Sequence, residues 1–310
     1  MEMTQIAPVN FAITIENPKE TLEYFNEVIN IIEQNNYFIR FDYTKVKKIC
    51  GCSVIYLASL IHSLQENNNK NPRCKKPSRE NNVTAMLKET GCLVPNGFTT
   101  PTVKNNQDSS MMICMGKDFE QNQLIHIMEH MERIWDIAHD KVSFLYEFIG
   151  ELMQNTEDYA YKHNWDLKHI LQKWYLYIKL ERDTKKVKFF FLDNGNGIPA
   201  TVKKSGTDKL IDKLLEYKNR IFKSHKPVSH EGEYIYSALQ GRRNNEKIGS
   251  TEGGLKIVSD HHSEGRISTL EVYSNSGYCK LSKANEVIVS IKKTLPLHLQ
   301  GTLFCWEMAI

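Results

Sequence analysis

Phe189-Phe-Phe-Leu-Asp193-Asn-Gly195-Asn-Gly197-Ile198-Pro199 is the stretch on which the reading of this chain turns. Its unbroken apolar run predicts a strand buried on both faces. A single carboxylate closes that strand, and two glycines at the following alternate positions let the backbone turn sharply and approach a ligand closely. An aspartate so placed is suited to accept a hydrogen bond from an amino group, such as the exocyclic amine of adenine.

Upstream stands Glu151-Leu-Met-Gln-Asn155-Thr-Glu-Asp158-Tyr-Ala160. Phe144, Phe148 and Leu152 recur every four residues and predict a buried helix face. Glu151 and Asn155 are also four apart, at the edge of that face, so both side chains point the same way. Downstream, Gly249-Ser-Thr-Glu-Gly253-Gly254-Leu255-Lys-Ile257-Val258 sets glycines before an apolar-periodic helix. Its first amides, together with the helix dipole, favour a phosphate. Gly301-Thr302 opens the last strand, with Thr302 expected beside Asp193.

Each element is weak alone, but their order is informative: a helix with Glu-x3-Asn, a strand with Asp-x-Gly-x-Gly, a glycine-rich helix start, then a strand with Gly-Thr. In that order the chain resembles the GHKL ATP-binding domains, which include gyrase B subunits, heat-shock chaperone ATPases and the ATPase half of histidine and anti-sigma-factor kinases. The resemblance covers about 190 residues and implies a Bergerat-type (HATPase) α/β sandwich over 118–310. It implies ATP and Mg²⁺ as ligands, with Asn155 on the metal, Asp193 on the adenine amine and Glu151 as the general base that orients water. The nucleotide-contacting set it implies is Asn155, Asp158, Asp193, Gly195, Gly197, Ile198, Lys247, Gly249, Gly253, Gly254, Leu255 and Thr302. Mg²⁺ suits such a site because it is held by few protein oxygens, the remainder coming from phosphates and water.

Two features depart from the family pattern. Gly-Gly-Leu stands where many kinases have Gly-Leu-Gly-Leu, so the phosphate-contacting amides need not fall at the same places in the motif. The segment between Gly197 and Gly253 is longer than in a minimal kinase domain, and 200–254 is expected to form an ATP lid with an insertion.

Residues 1–117 read as a smaller α/β domain. Phe11–Ile15 and Tyr37–Tyr43 predict strands, 18–35 and Ser53–Leu64 helices, Val83–Thr90 a short helix stopped by Gly91, and Met111–Met115 a last strand. The pattern resembles a STAS-like module, and Gln65–Asn82, rich in Asn, Lys and Pro, predicts an exposed loop. The whole is an α+β protein.

Composition narrows the partners. A net charge of +3 is too mild to indicate nucleic acid. The basic runs at Lys70–Arg79 and 203–226 read as solvated surface. Seven cysteines without metal-ligand spacing point to reduced thiols. With no apolar run long enough for a membrane span and no signal peptide, the expectation is a cytoplasmic protein.

His126, His130 and His139 lie too near Asn155 for the phosphoacceptor hairpin of a histidine kinase, and read as helix-surface residues. Three functions remain open. One is an ATPase that drives a conformational or partner-binding switch, another a Ser/Thr protein kinase of the anti-sigma-factor type, and the third a non-hydrolytic ATP-dependent binding module. Each implies a protein partner, and a homodimer is compatible with all three.

Overall fold

The structure, a computed structural model, describes residues 2–35, 38–68, 72–77, 82–93, 111–161, 166–204, 230–241, 255–284 and 287–310. It is a mixed α+β fold with several sheets, centred on a five-stranded sheet. The strands of that sheet are β6 (Met111–Gly116), β7 (Trp174–Glu181), β8 (Lys186–Asp193), β9 (Thr269–Ala284) and β10 (Val287–Ala309), in the order β6-β7-β8-β10-β9. Every pairing is antiparallel. β8 is central, so its apolar run is buried on both faces: Phe189 and Phe191 enter one core, while Leu192 and the partly buried Phe190 meet the other.

One face carries helices α4 (Gln121–Arg133), α6 (Phe144–Asn155), α8 (His230–Leu239) and α9 (Leu255–Ser263). They pack on Trp174, Leu176, Phe304 and Trp306, as the four-residue repeat of Phe144, Phe148 and Leu152 requires. A short α5 (His139–Val142) joins α4 to α6. α7 (Ile198–Lys204) follows the glycine turn.

The opposite face is covered by the N-terminal layer, β1 (Glu2–Ile6), β2 (Asn10–Phe11), α1 (Lys19–Gln34), β3 (Phe38–Asp42), β4 (Lys48–Ile49), α2 (Gly51–Asn68), β5 (Arg73–Lys75) and α3 (Asn82–Glu89). Strands β1, β3 and β5 form a small parallel sheet, and β2 pairs with β4. α2 is buried on every side from Gly51 to Leu64. It lies between α1 and the five-stranded sheet, in one core with Tyr175, Tyr177, Leu192, Tyr273 and Leu303.

Several expectations need correction. The strand expected at Phe11–Ile15 stops at Phe11, because the next amides bond to helix side chains instead: Ala12 N–H to Thr21 Oγ1 (3.1 Å) and Ile13 N–H to Ser53 Oγ (2.9 Å). Gln65–Asn82 is not one exposed loop, since α2 continues to Asn68 and Arg73–Lys75 adds a strand beside β3. Main-chain bonding needs no apolar side chains, so that composition concealed it. Met111–Gly116 pairs with β7 and forms an edge of the five-stranded sheet rather than the end of the N-terminal module. His126 and His139 are exposed as expected, but His130 is buried edge-on against Trp135.

Among the described residues, no helix is long and apolar enough to cross a membrane.

Candidate functional site

Asp193 is the last residue of β8, with Trp174 of β7 and Thr302 of β10 as its cross-strand partners. Strand alternation puts its side chain on the face of Phe189 and Phe191, toward the layer that contains α6. The carboxyl accepts from the Gly195 amide at 2.9 Å and also from the hydroxyl and amide of Thr302. Burial nevertheless outweighs these donors and pushes the Asp193 carboxyl up to about 7.

The turn beyond Asp193 requires its glycines. A Cβ at Gly195 would lie 2.4 Å from the Ala160 methyl carbon, and one at Gly197 would lie 2.2 Å from Asn275 Oδ1. Gly197 also has φ +83°, and Gly301, on the strand beside it, has φ +91°. Ser274 and Asn275 of β9 fasten the turn from outside. The Ile198 amide donates to Ser274 Oγ (2.9 Å), Ser274 Oγ lies 3.1 Å from Thr302 Oγ1, and Asn275 Nδ2 donates to the Asn196 carbonyl (3.0 Å).

Asn155 ends α6 and leads into a π-helical turn, Thr156–Ala160. That turn brings the two motifs together, because the Asn196 amide donates to the Ala160 carbonyl at 2.7 Å and Gly195 packs on the same residue. Asn155 Nδ2 donates to the Glu151 carbonyl (2.8 Å) and to the Glu151 carboxylate. The amide nitrogen is thereby committed to Glu151, and Oδ1 occupies the other branch of the amide plane. Glu151 and Asn155 are both partly exposed.

No family model matches this chain. No curated protein gives a significant match either.

Of the residues anticipated from sequence, Asn155, Asp193, Gly195, Gly197, Ile198 and Thr302 gather around this turn. Glu151 joins them through Asn155, and Asp158 lies half-buried in the π-helical turn. Leu255 opens α9, which packs against α6. Lys247, Gly249, Gly253 and Gly254 lie outside the described residues, as does most of the 200–254 segment. Sequence reasoning missed Ser274, Asn275 and Gln300. The first two belong to Tyr273-Ser-Asn-Ser-Gly277, whose polar character was the available signal; Gln300 gave none.

An oxygen donor at Asn155 fits Mg²⁺, a hard cation that keeps most of its water and phosphate ligands. Among the described residues, no group of three or more His, Cys, Asp or Glu side chains is arranged to hold a metal ion.

Proposed function

We propose that this chain binds Mg²⁺-ATP at the Asn155–Asp193 site in the manner of a GHKL-type ATPase, and hydrolyses ATP to drive a conformational or partner-binding switch. The observation that carries the reading is the Asp193 carboxyl, buried at a strand end and held in orientation by Gly195 and Thr302 beside a glycine turn. A buried carboxylate whose orientation is fixed from one side is matched to a neutral hydrogen-bond donor on a flat ring. The adenine amine is such a donor.

In this reading Asp193 accepts from adenine, and Asn155 Oδ1 ligates Mg²⁺, which screens the triphosphate charge. Glu151 takes the proton from the attacking water. The hydrogen bond from Asn155 keeps the Glu151 carboxylate near the metal ligand, where a nucleophile would have to be positioned. Lys247, Gly249, Gly253 and Gly254 would belong to the phosphate side. Under the same reading the five-stranded sheet with its helices is a Bergerat-type layer, and the N-terminal layer is STAS-like. Seven free cysteines accord with a reducing, cytoplasmic setting.

The test is purified full-length protein with Mg²⁺ and γ-labelled ATP, scored separately for bound nucleotide, free phosphate and labelled protein. Release of free phosphate is the expected result. Label on protein would replace hydrolysis with Ser/Thr kinase activity, and bound but intact ATP would leave a non-hydrolytic module. Absence of binding would overturn the reading.

A further inference from the structure

We propose that the N-terminal layer is part of the nucleotide site itself, with Tyr56 and Gln300 as positioning residues that hold the turn carrying Asp193. The proposal rests on the Mg²⁺-ATP reading above and assigns to that site a supporting shell from the other side of the sheet.

Four residues of α2 share one helical stripe. Cys52, Tyr56, Ser59 and Ser63 stand at i, i+4, i+7 and i+11. Each makes a contact with the sheet or its adjoining turns. Cys52 Sγ lies 3.0 Å from Cys305 Sγ on β10. The Tyr56 hydroxyl donates to the Gln300 carbonyl at 3.0 Å. Ser59 Oγ donates to the Tyr56 carbonyl of its own helix at 2.8 Å and lies 3.4 Å from Asn194 Oδ1, while Ser63 Oγ accepts from the Leu171 amide at 3.1 Å.

The middle of the stripe leads directly to the site. Gln300 Nε2 donates to the Gly195 carbonyl at 2.7 Å, and the Gly195 amide donates to Asp193 Oδ1 at 2.9 Å. Gly195 is thus held on both sides, its carbonyl in the Gly195–Asn196 peptide by Gln300 and its N–H in the Asn194–Gly195 peptide by Asp193. Asn194, between them, donates through Nδ2 to the Leu171 carbonyl at 3.3 Å. Tyr56 is buried and fixes the main chain at Gln300. With Gln300 altered, or its main chain released by loss of the Tyr56 hydroxyl, the Gly195–Asn196 peptide relies on the bond from the Asn196 amide to the Ala160 carbonyl, and the adjoining amide that orients the Asp193 carboxyl is held less firmly.

Orientation of Asp193 should register as base selectivity. Adenine offers an amine donor where guanine offers a carbonyl acceptor, so a well-oriented carboxylate favours ATP over GTP, and a loosened one discriminates less. A purely structural contribution would lower both affinities together.

The experiment is competition titration of full-length wild type, Tyr56→Phe and Gln300→Met with ATP and GTP in Mg²⁺, alongside thermal unfolding of each. Tyr56→Phe removes one hydroxyl and keeps the ring, while Gln300→Met keeps the chain length and removes the donor. Both variants are expected to bind ATP about tenfold more weakly, the scale of one lost hydrogen bond to a buried group. The ATP-to-GTP preference is expected to fall by a similar factor, with near wild-type melting. ATP affinity at the wild-type level, or equal losses for ATP and GTP, would overturn the proposal while leaving the ATP reading intact. Wild type that binds neither nucleotide would overturn both. If one variant fails to fold, the other decides by the same selectivity ratio.

Discussion

Gly301 passes so close to Asp193 that a Cβ built on it would lie 2.0 Å from the Asp193 carbonyl oxygen. The contact is with backbone, which cannot rotate away, and φ at Gly301 is +91°. Gly301→Ala is therefore expected to cost roughly 3 kcal/mol or more, from the clash together with the backbone conformation. Urea denaturation measures the loss. A variant within 1 kcal/mol of wild type would show that β8 and β10 do not approach this closely.

Asp193 makes stability and binding respond to pH in opposite directions. Its folded-state carboxyl is raised to about 7, so between pH 4 and pH 7 the unfolded chain has released a proton that the folded chain retains. Unfolding then binds fewer protons, and stability falls as pH rises through that window. Asp193→Asn removes this cost and is expected to stabilise the ligand-free protein by a few kcal/mol at pH 8 and by almost nothing at pH 4. ATP binding should be lost in the same variant, because an amide can turn a donor toward the adenine amine. In wild type, ATP affinity is expected to rise with pH through about 7, as the better acceptor forms. Calorimetric titration between pH 6 and pH 8 tests this, and a flat profile would separate Asp193 from the base.

Asn155 and Glu151 share a hydrogen bond, yet their losses should differ. Asn155→Ala is expected to weaken ATP binding in Mg²⁺ and to change it little in EDTA. Glu151→Ala should keep binding and lower turnover by about 10² to 10⁴ fold. Equal losses with and without metal in the first variant, or unchanged hydrolysis in the second, would remove the roles assigned to them.

Gly51 begins α2 against β8, and a Cβ there would lie 2.3 Å from the Phe190 ring. Because two helical layers share one sheet, unfolding is expected as a single transition, and Gly51→Val should lower the midpoint of the whole rather than split off an N-terminal step. Calorimetry with tryptophan fluorescence checks it, since Trp174 and Trp306 lie on the opposite face of the sheet from α2. An early transition silent to those tryptophans would contradict the shared core.

The sequence was legible where proximity depends on local order. Asp193, Gly195 and Gly197 alternate along one turn, and Glu151 and Asn155 stand four apart on one helix, so spacing alone placed each group together. Thr302 was expected on the Asp193 side of the pocket, and the strand register sets the two opposite each other. Long-range partners were not, because nothing in the surroundings of Gln300 or Tyr56 marks them as neighbours: the hydroxyl of Tyr56 meets a carbonyl 244 residues away. Met111–Gly116 was assigned to the wrong sheet for the same reason. A strand's periodicity identifies its faces but not the edge it will join.

The burial of α2 has a thermodynamic corollary. A helix enclosed between α1 and the five-stranded sheet cannot shift without disturbing contacts on both sides. Given nucleotide at the Asp193 turn as proposed, any molecule that grips the outer N-terminal layer and favours one position of α2 is linked to that nucleotide. Linkage is reciprocal: the factor by which such a molecule alters nucleotide affinity is the factor by which nucleotide alters its own. Measuring one leg of that cycle fixes the other, whichever of the two binds first.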